Sequence, residues 1–341
     1  MSLMSCIKND GSKYFSLTRH PEERSDEGSL KRMRYLMGTF LSIEVFHFDE
    51  RKAGQAIELA FGEVRRIEKS LSRFNPYSKI FEINQSAHIK PQAIDGELFH
   101  LIQECLKASK VSTGAFDITV APLMDLWSLA EKINSAPSQS QISDLLFNIG
   151  YQKVILDEEE KAVFFKNPYL KIDLGAAGKG YALDRAVKIL KEEGIKRARL
   201  DFGGHLYYFD NSELDAEYIG IRNPMSCEEI IFSIPLKNRS ISTSANYERN
   251  FNIQGKRYGH IINPLSGFPV DNRIASVSVI SPSALEADIL STAFFALGLD
   301  KGMQLIKNTN EAKAIIVIEN DGKPQLYFSR NYERGGVTQR S

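Results

Sequence analysis

Hydrophobic and polar positions along this chain follow two periods, and each predicts an element. Between residues 49 and 74, Ile57, Ala60, Phe61, Val64, Ile67 and Leu71 recur at steps of three and four. That spacing predicts one long helix with a single apolar stripe, stopped by Asn75-Pro76. Ahead of it, residues 37–46 hold Phe40, Leu41, Ile43, Val45 and Phe46, a β-rich run that reads as a strand. Two more helices are predicted over 95–111 and 117–132, then a polar loop over 135–141 and a short helix to Phe147. From Lys153 the texture changes. Residues 154–156 and 162–165 read as a hairpin, and 170–173 as a third short strand. A glycine-rich turn then leads into a helix from about Tyr181 to Glu193, ended by Gly194. Short strands with turn signals fill 197–280. A helix follows over 283–297, then a buried-type strand over 314–318.

Helices and strands are grouped rather than strictly alternating. This predicts an α+β fold with mixed or antiparallel sheets flanked by helices, not a doubly wound one. The 341 residues, 43% of them hydrophobic, suffice for a large core. No repeat or linker breaks residues 35–330, which read as one compact domain with room for two lobes, followed by a tail over 331–341. Residues 1–34 show neither period and are expected to be disordered or non-native. Within them Leu3-Met4-Ser5-Cys6 faintly resembles a lipoprotein cleavage box, but no apolar signal region precedes it.

Charge narrows the function classes. Lys+Arg number 43 and Asp+Glu 43. Such a balance gives no basic field for nucleic acid and no polybasic tract for a lipid surface. No apolar run of about 18 residues offers a transmembrane span. Cys6, Cys105 and Cys227 are scattered and lack zinc or C-x-x-C spacing, so they read as ordinary thiols.

Three stretches carry candidate chemistry. Asp173-Leu174-Gly175-Ala176-Ala177-Gly178-Lys179-Gly180 joins a strand to a helix. Small residues let backbone N–H groups approach an anion, the helix N-terminus favours negative charge, and Lys179 adds a cation. A phosphate or pyrophosphate suits it. It is neither a Walker A loop nor G-x-G-x-x-G, and a plain tight turn fits it as well. Asp288 and Thr292, four apart on one helix face, offer two hard oxygens of the kind Mg²⁺ takes. A hydroxyl satisfying a buried Asp is the competing reading. His260, before Asn263-Pro264-Leu265-Ser266-Gly267, suits proton transfer, although a lone His is more often structural. Ser244, His260 and Asp271 imitate a hydrolase triad, but Gly-x-Ser-x-Gly is absent.

Seven segments in order resemble the ApbE family, the FAD:protein FMN transferases. They are MGTF at 37–40, LSRFNPYSKIFEIN at 71–84, GAFDITVAPLMDLW at 114–127, KIDLGAAGKGYALD at 171–184, STSANYER at 242–249, GHIINPLSG at 259–267 and ADILSTAFFALG at 287–298. The resemblance implies that Asp288, Thr292 and the Ala176 carbonyl hold Mg²⁺. It implies FAD contacts at Asp173 and Lys179, with Lys179 near the phosphates, and at Met37 near the adenine. It further implies that Ala115, Phe116 and Asp117 line the flavin groove, that Phe74 stacks on the ring, that Thr39 and Thr243 touch the ligand, and that His260 moves the proton. The implied reaction joins FMN to a Thr or Ser hydroxyl of an acceptor flavoprotein and releases AMP. The family usually works in the bacterial envelope. Three departures stand out. Asn263 replaces a usual Asp, Phe74 replaces a frequent Tyr, and His205 follows Gly203-Gly204. They leave two alternatives open: an FAD pyrophosphatase giving FMN and AMP, or a protein that binds FAD without catalysis.

Overall fold

The computed structural model describes residues 28–211, 216–246, 250–330 and 332. It opens on a hairpin, β1 (Ser29–Leu36) paired antiparallel with β2 (Thr39–Phe46). Between them Met37 and Gly38 both have positive φ, 48° and 78°. Two such residues in succession match the right-handed twist of the strands they join. β1 thus takes in residues 29–34, ahead of the expected start at residue 35. β1 is an exposed edge strand whose Arg32 and Arg34 pair with Glu58, so it shows no apolar alternation to read. Expectations for residues 1–27 and 333–341 lie outside the described residues.

Next come α1 (Glu50–Leu71), α2 (Lys79–Ser86), β3 (Gln92–Ala93) and α3 (Gly96–Val111). A 3-10 turn at Ile118–Val120 leads into α4 (Ala121–Lys132), so the helix expected from residue 117 starts four residues later. The cause is Asp117, whose carboxylate accepts from the Thr119 backbone and hydroxyl and tightens the chain into that turn. α5 (Gln139–Asn148), β4 (Val154–Asp157), β5 (Ala162–Phe165) and α6 (Gly175–Glu192) follow. Residues 170–173 are extended but join no sheet. The side-chain amide of Asn84 takes the place of a neighbouring strand, with Nδ2 donating to the Ile172 carbonyl (3.0 Å) and Oδ1 accepting from its N–H (2.8 Å). β6 (Arg197–Phe202), β7 (His205–Asp210), β8 (Glu217–Asn223), β9 (Ser226–Leu236), β10 (Arg239–Ala245), β11 (Asn250–Ile253), β12 (Lys256–Gly259) and β13 (Ile274–Ser281) form the strand-rich half. The chain then runs through α7 (Ala284–Leu297), α8 (Leu299–Lys307), β14 (Lys313–Asn320) and β15 (Lys323–Phe328).

The main sheet has eight strands in the order β1-β2-β6-β7-β10-β13-β14-β15, each neighbour antiparallel. The α+β expectation holds. Helices α1, α6 and α7 cover one face through a core that includes Phe61, Leu183, Val279 and Phe294. The β8–β9 ribbon covers the other, where Ile219 and Ile234 meet Ile241, Ile280 and Ile315. β14 carries a buried apolar run, while β10 and β13 place small serines between their apolar residues. A satellite cluster gathers α4, α5 and the β11–β12 hairpin around Trp127, whose Nε1 donates to the Gly267 carbonyl (2.9 Å). Among the described residues no helix is long and apolar enough to cross a membrane.

An ion network ties α1 to α3 and α6. Glu63 accepts from Arg66 (2.8 Å) and Arg185 (2.9 Å), and both arginines reach Glu97. The Arg66 hydrogen bond, joined by Arg185 and opposed by burial, lowers the Glu63 carboxyl from 4.5 to about 2. A carboxyl depressed in the folded state stabilises above its unfolded value and loses that contribution as pH falls through the folded one. Acid titration is therefore expected to destabilise the protein between pH 4.5 and 2, and Glu63→Gln to flatten the slope there. Chemical denaturation across that range checks this, and an unchanged slope in the variant would contradict it.

Candidate active site

The glycine-rich stretch is the first turn and a half of a helix, not a loop before one. α6 starts at Gly175, six residues earlier than periodicity suggested, because Gly, Ala and Lys carry no apolar stripe. Asp173 sits ahead of it. Its N–H donates to the Ile118 carbonyl (2.7 Å), its Oδ1 accepts from the Gly175 N–H (2.6 Å), and Arg73 Nε lies 2.5 Å from its Oδ2 as a close ion pair. The Ala177 and Gly178 amides donate to the Leu174 carbonyl, so what the start of α6 offers an anion at this place is mainly its positive end.

α6 and α7 cross in close contact at Gly180. A Cβ there would stand 2.4 Å from the Ala284 carbonyl oxygen, so only glycine permits the approach. The crossing brings Asp288 to the N-terminal turns of α6. Its Oδ2 accepts from the Gly180 N–H (3.0 Å) and lies 3.9 Å from Lys179 Nζ. Regular helix geometry aims that same amide at the Ala176 carbonyl, four residues back, so Ala176 belongs to this corner. Asp288 Oδ1 accepts from Ser242 Oγ (3.2 Å). One turn along α7, Ser244 Oγ meets Ser291 Oγ (3.0 Å) and Thr292 Oγ1 (3.4 Å). A buried carboxylate, a lysine, four hydroxyls and a helix N-terminus thus converge from α6, α7 and β10.

His205 completes the buried side of the cluster. Ser240 Oγ donates to the Leu206 carbonyl (2.9 Å), so the His205 Nε2 beside it (2.9 Å) must carry the proton. Nδ1 is then a bare acceptor with no hydrogen-bond partner, 3.8 Å from Asp288 Oδ1. Burial lowers this imidazole from 6.5 to about 4, so it is neutral near pH 7. A carboxylate flanked by hydroxyls and an unsatisfied nitrogen fits a divalent cation, which prefers hard oxygen ligands. Among the described residues no three His, Cys, Asp or Glu side chains form a metal cluster, so hydroxyl or carbonyl oxygens and the ligand itself would complete the shell.

The other predicted residues are each placed by contacts of their own. The Met37 N–H donates to Glu68 Oε1 (2.6 Å), and its methyl lies against Gly178. Thr39 packs over Gly203, which has φ +61°. Phe74 is 74% exposed, with the Arg73 guanidinium 4.2 Å from its ring centroid. Ala115, Phe116 and Asp117 are buried. Asp117 gives its oxygens to Thr119 and the Tyr151 N–H, burial raises its carboxyl, and the Ile118 carbonyl beside it accepts from the Asp173 N–H. Thr243 faces the opposite side of β10 from Asp288, and its hydroxyl meets Ser278 (2.7 Å). Strand alternation in Ser242-Thr243-Ser244 carried the signal: the two serines share the helix-facing side. His260 is half-buried just past β12. Gly259 beside it abuts Asn246, the residue after β10, and a cleft of about 910 Å³ opens there, lined by Asn246, Gly259, Val270 and Asn272 among others.

A mostly antiparallel α+β body with an anion seat and a hydroxyl-rich carboxylate pocket at one helix crossing describes a phosphoryl-handling enzyme class. The chain belongs to the ApbE family, whose model matches residues 37–316. It is 34% identical to an FAD:protein FMN transferase of Klebsiella pneumoniae (strain 342), over 84% of this chain and 88% of the relative. It is 28% identical to an FAD:protein FMN transferase of Escherichia coli (strain K12), over 84% and 83%. The ApbE crystal structure from Thermotoga maritima superposes with a TM-score of 0.80 at 29% identity, covering 89% of this chain and 97% of that one. The flavin transferase ApbE of Vibrio cholerae shares the fold, with a TM-score of 0.77 at 21% identity over 89% and 98%.

Proposed function

We propose that this chain transfers FMN from FAD to a Thr or Ser hydroxyl of an acceptor flavoprotein, with a divalent cation, Mg²⁺ by preference, held by Asp288, Thr292 and the Ala176 carbonyl. The observation that carries this is the meeting of Asp288 with Lys179 and Gly180 at the start of α6, in a chain of this family. The acceptor oxygen bonds to the FMN phosphorus as the bond from phosphorus to the AMP oxygen breaks. The hydroxyl proton passes to His260, and AMP leaves. Such a step depends mainly on placement and charge neutralisation. The cation, when bound, offsets phosphate and leaving-group charge. Lys179 and the positive end of α6 hold the diphosphate, and Phe74 offers a face to the ring.

The test mixes protein, FAD and Mg²⁺ with a flavoprotein domain carrying a Thr acceptor, with and without chelator. Fluorescence on the acceptor band of a denaturing gel is expected only without chelator. A dark band with a competent acceptor would defeat the proposal. FAD pyrophosphatase activity is the second reading, motivated by Asn263. Its Oδ1 accepts from the Leu265 N–H (2.9 Å), a turn-forming role that an Asp would fill equally. Product analysis without acceptor separates the two: intact FAD removes hydrolysis.

Lys179→Ala is expected to weaken FAD binding about tenfold to a hundredfold, the range of a hydrogen bond to a charged group. Riboflavin lacks phosphates and should bind nearly as before. Fluorescence titration of both ligands checks this, and equal losses would refute the role given to Lys179.

A further inference from the structure

Arg73 sits between the two ends of the proposed ligand site without being part of either. It follows the C-cap of α1 and is mostly buried, its side chain 12% exposed. Three contacts fix it. Nη1 donates to Asp125 Oδ1 on α4 (2.7 Å), Nε lies 2.5 Å from Asp173 Oδ2, and the guanidinium lies 4.2 Å from the Phe74 ring centroid. The loop carrying it is braced by its own hydrogen bonds. Ser72 Oγ accepts from the Phe74 and Asn75 N–H groups, Asn75 Oδ1 accepts from the Tyr77 N–H, and Ser78 Oγ donates to the Ser72 carbonyl. Phe74 nevertheless turns most of its surface to solvent.

A large exposed aromatic on a braced loop, backed by a clamped cation, is a preset platform for a planar ring. The same cation, shared with Asp125, offsets part of the Asp173 charge, whose carboxylate would otherwise repel a phosphate at the mouth of α6 more strongly. We infer that Arg73 is a positioning residue that couples the two halves of the ligand site, holding the Phe74 ring for the flavin and offsetting the Asp173 charge for the diphosphate.

Only a planar fork meets two carboxylates and lies flat on a ring at once. Lysine keeps the charge but loses the fork and the stacking. The two functions are therefore separable by substitution. Arg73→Ala is expected to weaken both riboflavin and ADP, each roughly tenfold, with a larger combined loss for FAD. Arg73→Lys is expected to restore ADP binding while riboflavin stays weak. The quenching of flavin fluorescence on binding, a direct reading of ring stacking, should fall in both variants. In turnover the loss should appear mainly in KM.

This inference rests on the proposed function, and titrations on the full-length chain tell the two failures apart. If the unsubstituted protein binds no FAD, the functional reading fails. If it binds FAD and Arg73→Ala matches its riboflavin, ADP and FAD affinities, the inference alone fails. Thermal melts of each variant accompany the titrations. A uniform loss of all three ligands that tracks the loss of folded protein, with Arg73→Lys restoring all or none, assigns Arg73 a purely structural role and overturns the coupling.

Discussion

Asp288→Asn is expected to lower flavin transfer by at least about a hundredfold, the scale of removing a group that supports developing charge in a reaction. The side chain keeps its size, its one oxygen can still accept from the Gly180 N–H, and its amide can donate to the Ser242 hydroxyl, which turns to accept. What disappears is the negative charge that Lys179, at 3.9 Å, and the proposed divalent cation share. At 3.9 Å the half-buried Lys179 offsets the buried Asp288 charge only in part, and burying a charge is costly, so the metal-free variant should melt no lower than the original protein. The contrast lies in the response to metal. A ligand that binds only the folded state raises its stability with concentration. Mg²⁺ should therefore raise the melting temperature of the unsubstituted protein and leave Asp288→Asn unmoved. Melting curves with chelator and with increasing Mg²⁺ measure this beside activity. A variant that keeps the metal-dependent rise excludes Asp288 as a ligand.

Gly180→Ala is expected to cost about 3 kcal/mol or more, the upper part of the range for overpacked interiors. The new methyl would meet the carbonyl carbon and oxygen of Ala284 and the Leu285 Cα at 2.4 to 2.8 Å. All three atoms belong to backbone at the start of α7, so no rotamer relieves the clash and the helices must part. Parting also draws the Gly180 amide away from Asp288, so ligand-induced stabilisation should shrink with the melting temperature. Gly178→Ala is the control on the same helix. Its Cβ would meet the tips of Met37 (3.2 Å) and Leu71 (3.3 Å), flexible ends that can give way. Melting both variants decides the matter. Equal, small losses would mean that the helix crossing is not set by Gly180.

Long, strongly patterned elements were legible from residues alone. The stripe from Ile57 to Leu71 is buried as α1, and the apolar run around Phe294 lies in α7. Short elements escaped: α2, α8 and β15 are each under ten residues, and β1 keeps most side chains in solvent. The start of α6 was hidden because its glycines and alanines serve close packing rather than an apolar stripe. At the site, Asp173, Lys179, Asp288 and Thr292 carried local signals. Their convergence did not, since it depends on a contact between residues 180 and 284 that no local spacing encodes. Arg73 and His205 owe their places to such distant contacts. Ser242 and Ser244 could have been found from strand alternation, which Thr243 obscured by sharing their chemistry.

That alternation makes β10 a two-sided ruler. One edge of its count supplies hydroxyls to the pocket, through Ser242 and Ser244, while the other seals Ile241 beneath the β8–β9 ribbon. Loss or gain of a single codon inside the strand would invert both at once, turning hydrocarbon toward Asp288 and a serine into the oily layer. Length variation in descendants of this gene is thus expected to be tolerated in the flanking turns and purged from 240–245.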